Sequence, residues 1–236
     1  MSNEKQRIWE LDALRGLCIL CMIVIHFIYD LVAFGGLDIQ TPVWYDFIQQ
    51  YGHLFFVLIS GICATLASRS FKRGVVVFCA GLLISYVTLF MDFVVGFSGM
   101  RIWFGVLHML GICMMLYPLC KRFPAWLLFL LGAGLAALGF WLQTVTVSIN
   151  FLFPLGLTSD TFYCGSDFFP ILPGFGWFLV GAGLGKTLYR KKQSLLPRFP
   201  ANFFLLRFFR FCGRHSLEIY LLHQPIVAGI VMLIFL

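Results

Sequence analysis

Apolar residues follow one another along this chain in blocks of about 20, bounded by short basic or polar clusters, a pattern that fits helices crossing a bilayer rather than half-buried strands. The blocks predict seven spans, at about residues 14–34, 53–71, 74–91, 102–120, 123–142, 168–189 and 216–236. Pro197 to Phe211 is apolar as well, but Arg207 and Arg210 interrupt it and it is too short to span. It reads as a helix lying on the cytoplasmic interface. No repeat, low-complexity tract or long linker divides the sequence, so residues 1–236 read as a single transmembrane domain. The expected fold class is an all-α integral membrane protein, a bundle of about seven transmembrane helices plus a short cytoplasmic interfacial helix.

Composition agrees. The 236 residues are 61% hydrophobic and 11% charged, with a mean hydropathy of +0.93. A soluble domain could not cover so apolar an exterior, which excludes a soluble enzyme, a nucleic-acid partner and a disordered chain. The net charge of +7 reports orientation instead. Of the 17 Lys and Arg, all but Arg101 fall on one side of the predicted spans, Lys5, Arg7, Lys72 and Arg198 among them. Asp30, Asp38, Asp46, Asp92, Asp160 and Asp167 fall on the other. The positive-inside rule then puts the N-terminus in the cytoplasm and the C-terminus outside. The first span is too long for a signal peptide, contains His26 and Asp30, and lacks a small-residue cleavage site.

Five of the eight cysteines, Cys18, Cys21, Cys63, Cys79 and Cys113, lie within apolar runs, where they act as small hydrophobes. Cys120 and Cys212 fall on the basic, reducing side, which leaves Cys164 alone in an outer loop and predicts no disulfide. Cys18 and Cys21 have CxxC spacing but no second pair and no nearby His, so no metal is expected.

The ionisable residues inside the spans carry the candidate chemistry. At about 100° per residue, Asp12, Arg15, His26 and Asp30 of the first span project within a sector of about 60°. A charged group in a span costs a few kcal/mol or more unless it meets a partner or water, so this stripe faces the protein interior or a cavity. Arg15 and His26 are separated by about 16 Å along the helix. His26 and Asp30, four residues apart, have the spacing for a carboxylate to orient an imidazole acting as a general base. A helix-start ion pair of Asp12 with Arg15, and a purely hydrogen-bonding His26, would fit the same spacing. His53 opens the predicted second span on its outer side. His108 lies in the fourth, on the same face as Arg101, for which Asp92 and Asp167 are available partners. His223 sits in the last span beside Gln224, one turn from Tyr220, while His215 reads as a solvated residue of the basic loop. The stretch Gly181-Ala182-Gly183-Leu184-Gly185-Lys186-Thr187 imitates a phosphate loop but lacks the first glycine and follows no strand. It reads as small-residue helix packing.

Three motifs then bring a family into view. Leu11-Asp12-Ala13-Leu14-Arg15-Gly16 with His26, Phe55-Phe56-Val57-Leu58-Ile59-Ser60-Gly61, and Ser216-Leu217-Glu218-Ile219-Tyr220-Leu221-Leu222-His223-Gln224-Pro225 together resemble the transmembrane acyltransferase superfamily. The similarity is to its short bacterial branch, related to the heparan-alpha-glucosaminide N-acetyltransferase catalytic domain. Phe104-Gly105-Val106-Leu107-His108 and Asp167-Phe168-Phe169-Pro170-Ile171-Leu172-Pro173 extend it over nearly the whole chain. The resemblance implies a multi-pass protein of the bacterial cytoplasmic (inner) membrane that moves an acyl group, often acetyl, from cytoplasmic acyl-CoA (acetyl-CoA) to a hydroxyl or amine of an extracytoplasmic sugar or glycan. His26 and Arg15 match the histidine and arginine of the first span in related O-acyltransferases. The lysosomal enzyme's base lies in the loop after its first span, but residues 32–52 here contain no histidine, which leaves His26 and His53 as candidates, with Asp30 and Arg15 in support.

A thioester donor also needs cations for its phosphates. Lys186, Arg190, Lys191, Arg210 and Arg214 are expected to supply them, with Arg15, His223 and Gln224 along the acyl arm and Arg101, His108 and Asp167 toward the acceptor. Topogenic charge alone would give the same basic run. Partners expected are therefore acyl-CoA, the glycan acceptor and the lipid bilayer, with homo-oligomerisation left open and no metal. The alternative function is a small transporter or proton-coupled permease relaying protons through its buried His and Asp residues.

Overall fold

The computed structural model describes residues 8–96, 101–148, 150–160, 162, 167–197 and 203–235. Lys5, Arg7, Arg198 and Cys164, which entered the charge and cysteine arguments, lie outside the described residues. Helices α1 (Trp9–Ala33), α2 (Val43–Leu66), α3 (Ser70–Phe90), α4 (Val106–Cys120), α5 (Ala125–Leu142), α6 (Ile171–Leu188), α7 (Phe204–Arg214) and α8 (Ser216–Phe235) follow one another, with a π-helical turn at Met91–Val95 and a 3-10 turn at Asn150–Leu155. Among the described residues the only β pairing is the isolated bridge Thr146 to Thr158. Six helices are long and apolar enough to cross a membrane, and α4 is a shorter apolar helix of 15 residues. The expected all-α integral membrane fold is the one observed.

Among the boundaries that differ from expectation by four residues or more, two have identifiable reasons. The second helix begins at Val43, ten residues before the predicted start, because Asp46, Gln49 and Gln50 depress the local hydropathy without breaking the helix. Trp44, Tyr45, Phe47 and Tyr51 fill these first turns, the residue types that favour a membrane interface. His53 therefore lies well inside α2 and not at its outer end. The fourth span, expected from residue 102, is helical only from Val106. Residues 101–105 are non-helical, and in an apolar setting their backbone must be satisfied within the protein. Ser85 donates its hydroxyl to the Ile102 carbonyl at 2.6 Å. The Ile102 amide donates to Thr88 Oγ1 at 3.2 Å.

The chain divides into two compact units, one of residues 1–59 and 189–236 and the other of Ser60–Leu188. In the first, α7 and α8 both pack on α1. A Cβ at Gly213 of α7 would run into the Asp12 carbonyl, and one at Gly16 of α1 into that of Phe209, so only glycine permits this approach. Around α7, Phe204, Phe208 and Phe211 form an exposed apolar stripe and Arg207, Arg210 and Arg214 a separate basic one, the amphipathic pattern of an interfacial helix. In the second unit α3 packs on α4, and α6 packs on α5 and α4. Lipid supplies no hydrophobic drive between spans, so small residues at the contacts matter. The phosphate-loop lookalike lies in the last turns of α6, where Gly181, Ala182, Gly183 and Gly185 are buried. There a Cβ at Gly183 would meet the Phe129 ring at 2.9 Å.

Candidate functional site

The ionisable stripe of α1 faces the last span. Arg15 Nη2 donates to Ser216 Oγ at 2.6 Å, at the first residue of α8. Farther along, the rings of His26 and His223 meet edge to face with centroids 5.0 Å apart. Gln224 Nε2 donates to both Asp30 oxygens at 3.0 and 3.1 Å. These contacts occur in the same order on both helices, so α1 and α8 run parallel and share one polar seam.

Local helix geometry fixes both imidazoles. The Nδ1 of His26 lies 2.9 Å from the Met22 carbonyl one turn earlier. That of His223 lies 2.6 Å from the Tyr220 carbonyl. A carbonyl oxygen can only accept, so each Nδ1 carries a proton, and in the neutral imidazole each Nε2 carries a lone pair. His223 is 7% exposed and its Nε2 is buried without a hydrogen-bond partner. His26 Nε2 likewise makes no hydrogen bond among the described residues. Beside Asp30, which is 0% exposed, the Oε1 of Gln224 is, like His223 Nε2, a buried acceptor without a hydrogen-bond partner. At the other end the chemistry is reversed: Arg15 uses one donor on Ser216, its Nε is buried without a hydrogen-bond partner, and its guanidinium lies 6.0 Å from the centre of the Phe56 ring. The seam thus has a donor end at Arg15 and an acceptor end at His26, His223 and Gln224.

Two pairings suggested by spacing give way to others. Asp30 bonds Gln224 and not His26, whose orientation comes from the Met22 carbonyl. Asp12 faces Arg214 at 3.4 Å and not Arg15. The reason is common to both: each carboxylate finds an amide or guanidinium on another helix, which reaches it with better geometry than a neighbour on its own. Tyr45 donates its hydroxyl to the Ile25 carbonyl at 3.2 Å, and Phe56 lies under Arg15, so α2 runs antiparallel to α1. His53, three residues before Phe56, then lies nearer the Arg15 end than His26 does, which corrects its expected place at the outer mouth.

The remaining expected site residues are distributed as follows. Arg101 pairs with Asp92. His108, 3% exposed, caps α4: its Nδ1 accepts from the Gly105 amide at 3.2 Å, its Nε2 lies 3.4 Å from Ser85 Oγ, and Phe104 stacks on the ring. Asp167 comes beside Gly105, where a Cβ would meet its Oδ2 at 2.7 Å, and the Phe169 amide donates to the Phe104 carbonyl at 3.1 Å. The motifs at 104–108 and 167–173, distant in sequence, are thus adjacent in the second unit. Lys186 donates to the carbonyls of Lys121 and Phe123, at 2.7 and 2.5 Å. Arg190 and Lys191 lie exposed in the turn after α6, and Arg210 and Arg214 lie on the basic stripe of α7. His215 is exposed beside Glu218. Spacing did not reveal Ser216 or Met22 as partners of Arg15 and His26. Only the position of Ser216 at the head of the last-span motif pointed toward it.

A polytopic helical membrane protein with histidines, a carboxylate and an arginine sharing a seam between two of its spans is the class these observations define. Residues 7–225 match the family described as Heparan-alpha-glucosaminide N-acetyltransferase, catalytic, and the chain belongs to that family. Membership implies a function of the membrane acetyltransferase type. No significant match to the chain was found among curated proteins or among solved structures.

Proposed function

We propose that the protein transfers an acyl group, acetyl in the first instance, from acyl-CoA on the cytoplasmic side to an amine or hydroxyl of an extracytoplasmic sugar, with His26 as general base. The supporting observation is the polarity of the seam: unused guanidinium donors at Arg15 and unoccupied imidazole lone pairs at His26 and His223, farther along the same pair of helices. The acceptor's N or O attacks the thioester carbonyl while His26 Nε2 takes its proton. The C–S bond then breaks, and the thiolate leaves as CoA thiol with the proton returned from the imidazolium. Arg15 anchors the donor. Arg190, Lys191, Arg210 and Arg214 attract its phosphates, and Asp30 with Gln224 holds the acceptor end. Arg101, His108 and Asp167, in the other unit, carry no step of this reading. The N-terminus is cytoplasmic and the C-terminus outside.

The test is thiol release from acetyl-CoA by the purified full chain in detergent, with and without glucosamine. Acceptor-dependent thiol release that His26→Ala abolishes is the expected result. Absence of thiol release, together with proton flux into liposomes carrying the protein, replaces this reading with the permease one.

A further inference from the structure

The second unit contains a basic cavity that the acyl-transfer seam does not use. It has a volume of about 190 Å³ and opens where the α2–α3 loop meets the end of α4, lined by Ser68, Arg69, Lys72, Tyr117 and Lys121 among others. No Asp or Glu occurs between Asp46 and Asp92 or between Asp92 and Asp160 in the sequence. Among the described residues Arg69, Lys72 and Lys121 have no carboxylate partner. Arg69 is the N-cap of α3 and makes no side-chain cap, so the first amides of that helix lack a side-chain acceptor at the cavity.

Tyr117 separates this site from ordinary topogenic charge. The residue is 1% exposed and sets its ring against Phe178 with centroids 6.0 Å apart. Its hydroxyl makes no hydrogen bond among the described residues, although the side chain lines the cavity. Charges that only orient a membrane protein require neither a cavity nor a phenol without a hydrogen bond in its lining. The cations, the phenol and the helix amides all offer donors, and the cavity has no carboxylate. A ligand that fills it must be anionic and carry several acceptor oxygens around one centre.

We propose that this cavity binds a phosphate group, carried either by an anionic lipid headgroup or by a soluble phosphate compound. Lys186 supports its rim, since its ammonium is fixed on the backbone carbonyls of Lys121 and Phe123. The proposal does not depend on the acyltransferase reading, and its test needs no turnover.

The full chain in detergent at low salt is titrated with inorganic pyrophosphate, following thermal stability. In parallel, native mass spectra are recorded after exchange into mixed phosphatidylcholine and phosphatidylglycerol. Tyr117→Phe keeps the ring on Phe178 and removes only the hydroxyl, while Lys72→Gln removes one cation. Each is expected to weaken binding about tenfold or more, because a hydrogen bond to a charged group is lost. Added salt is expected to weaken it further. Saturable stabilisation by pyrophosphate, reduced in both variants, identifies a soluble phosphate compound. Selective retention of phosphatidylglycerol, lost in both variants, identifies a lipid headgroup. Arg122→Gln removes a neighbouring cation that does not line the cavity. If it weakens binding as much as Lys72→Gln, or if neither probe binds, or if Tyr117→Phe and Lys72→Gln bind as wild type, the proposal is overturned.

Discussion

Replacing His26 by Ala separates chemistry from folding. The imidazole makes one hydrogen bond, Nδ1–H to the Met22 carbonyl of the same helix, and one edge-to-face contact with His223. Losing such a bond costs about 1 kcal/mol, and the carbonyl keeps its helical partner. For a chain of this size that corresponds to a fall in Tm of about 2–4 °C. Losing a general base lowers the rate by about a hundredfold to ten-thousandfold, which is about 2.7–5.4 kcal/mol in the barrier. The variant should therefore purify as a folded protein and bind acetyl-CoA as wild type does, while glucosamine-dependent thiol release falls by at least two decades. Thiol release is followed colorimetrically, donor binding by thermal shift with acetyl-CoA. Wild-type turnover in His26→Ala, with turnover lost in His53→Ala, would refute the argument and move the base to α2.

Three further outcomes follow from particular contacts. Arg15→Gln should raise KM for acetyl-CoA about tenfold or more with a smaller effect on kcat, since it removes an unused buried donor that the proposed reaction assigns to the thioester substrate; an unchanged KM in steady-state kinetics takes Arg15 out of the donor site. Cysteines placed at Asp38 and Gln143 should react with an impermeant maleimide from outside intact cells, and those at Lys72 and Lys191 only after permeabilisation; the reverse pattern would invert the proposed direction of transfer. Gly213→Val should lower the detergent Tm by several degrees, because its Cβ would run into the Asp12 carbonyl and overpacking of this kind costs about 1–3 kcal/mol. Gly134→Ala, with no atom within 4 Å of the added carbon, should not lower it.

What the sequence made legible was whatever depends on one helix at a time. The apolar blocks gave the number of helices, and the 100° period set Arg15, His26 and Asp30 on one face, the face that meets α8. Hydropathy failed where polarity and helix coexist. Asp46, Gln49 and Gln50 hid the first turns of α2, which shifted His53 from the middle of that helix to a supposed mouth. Hydropathy also counted residues 102–105 as helix, since it cannot register that Ser85, Thr88 and His108 satisfy their backbone by side-chain bonds. Partners distant in sequence were the least legible. Asp12 and Arg15 share a sector of α1, yet one turns to Arg214 and the other to Ser216, a division that depends on where α7 ends and α8 begins.

The two ends of the seam show why its polar groups suit a ligand better than they suit stability. Arg15 keeps donors in reserve while His26, His223 and Gln224 keep acceptors, and brought together they would satisfy one another. The α1 helix prevents this: 11 residues at 1.5 Å each hold Arg15 about 16 Å from His26. A protein selected only to be stable in lipid would pair such groups locally or replace them by apolar ones, because each unpaired polar atom in an apolar interior costs about 1–3 kcal/mol. A ligand that completes the seam must present acceptors at one end and an N–H or O–H donor at the other. The acyl thioester and the sugar amine or hydroxyl of the proposed reaction would together have that polarity, with the transferable proton at the imidazole end.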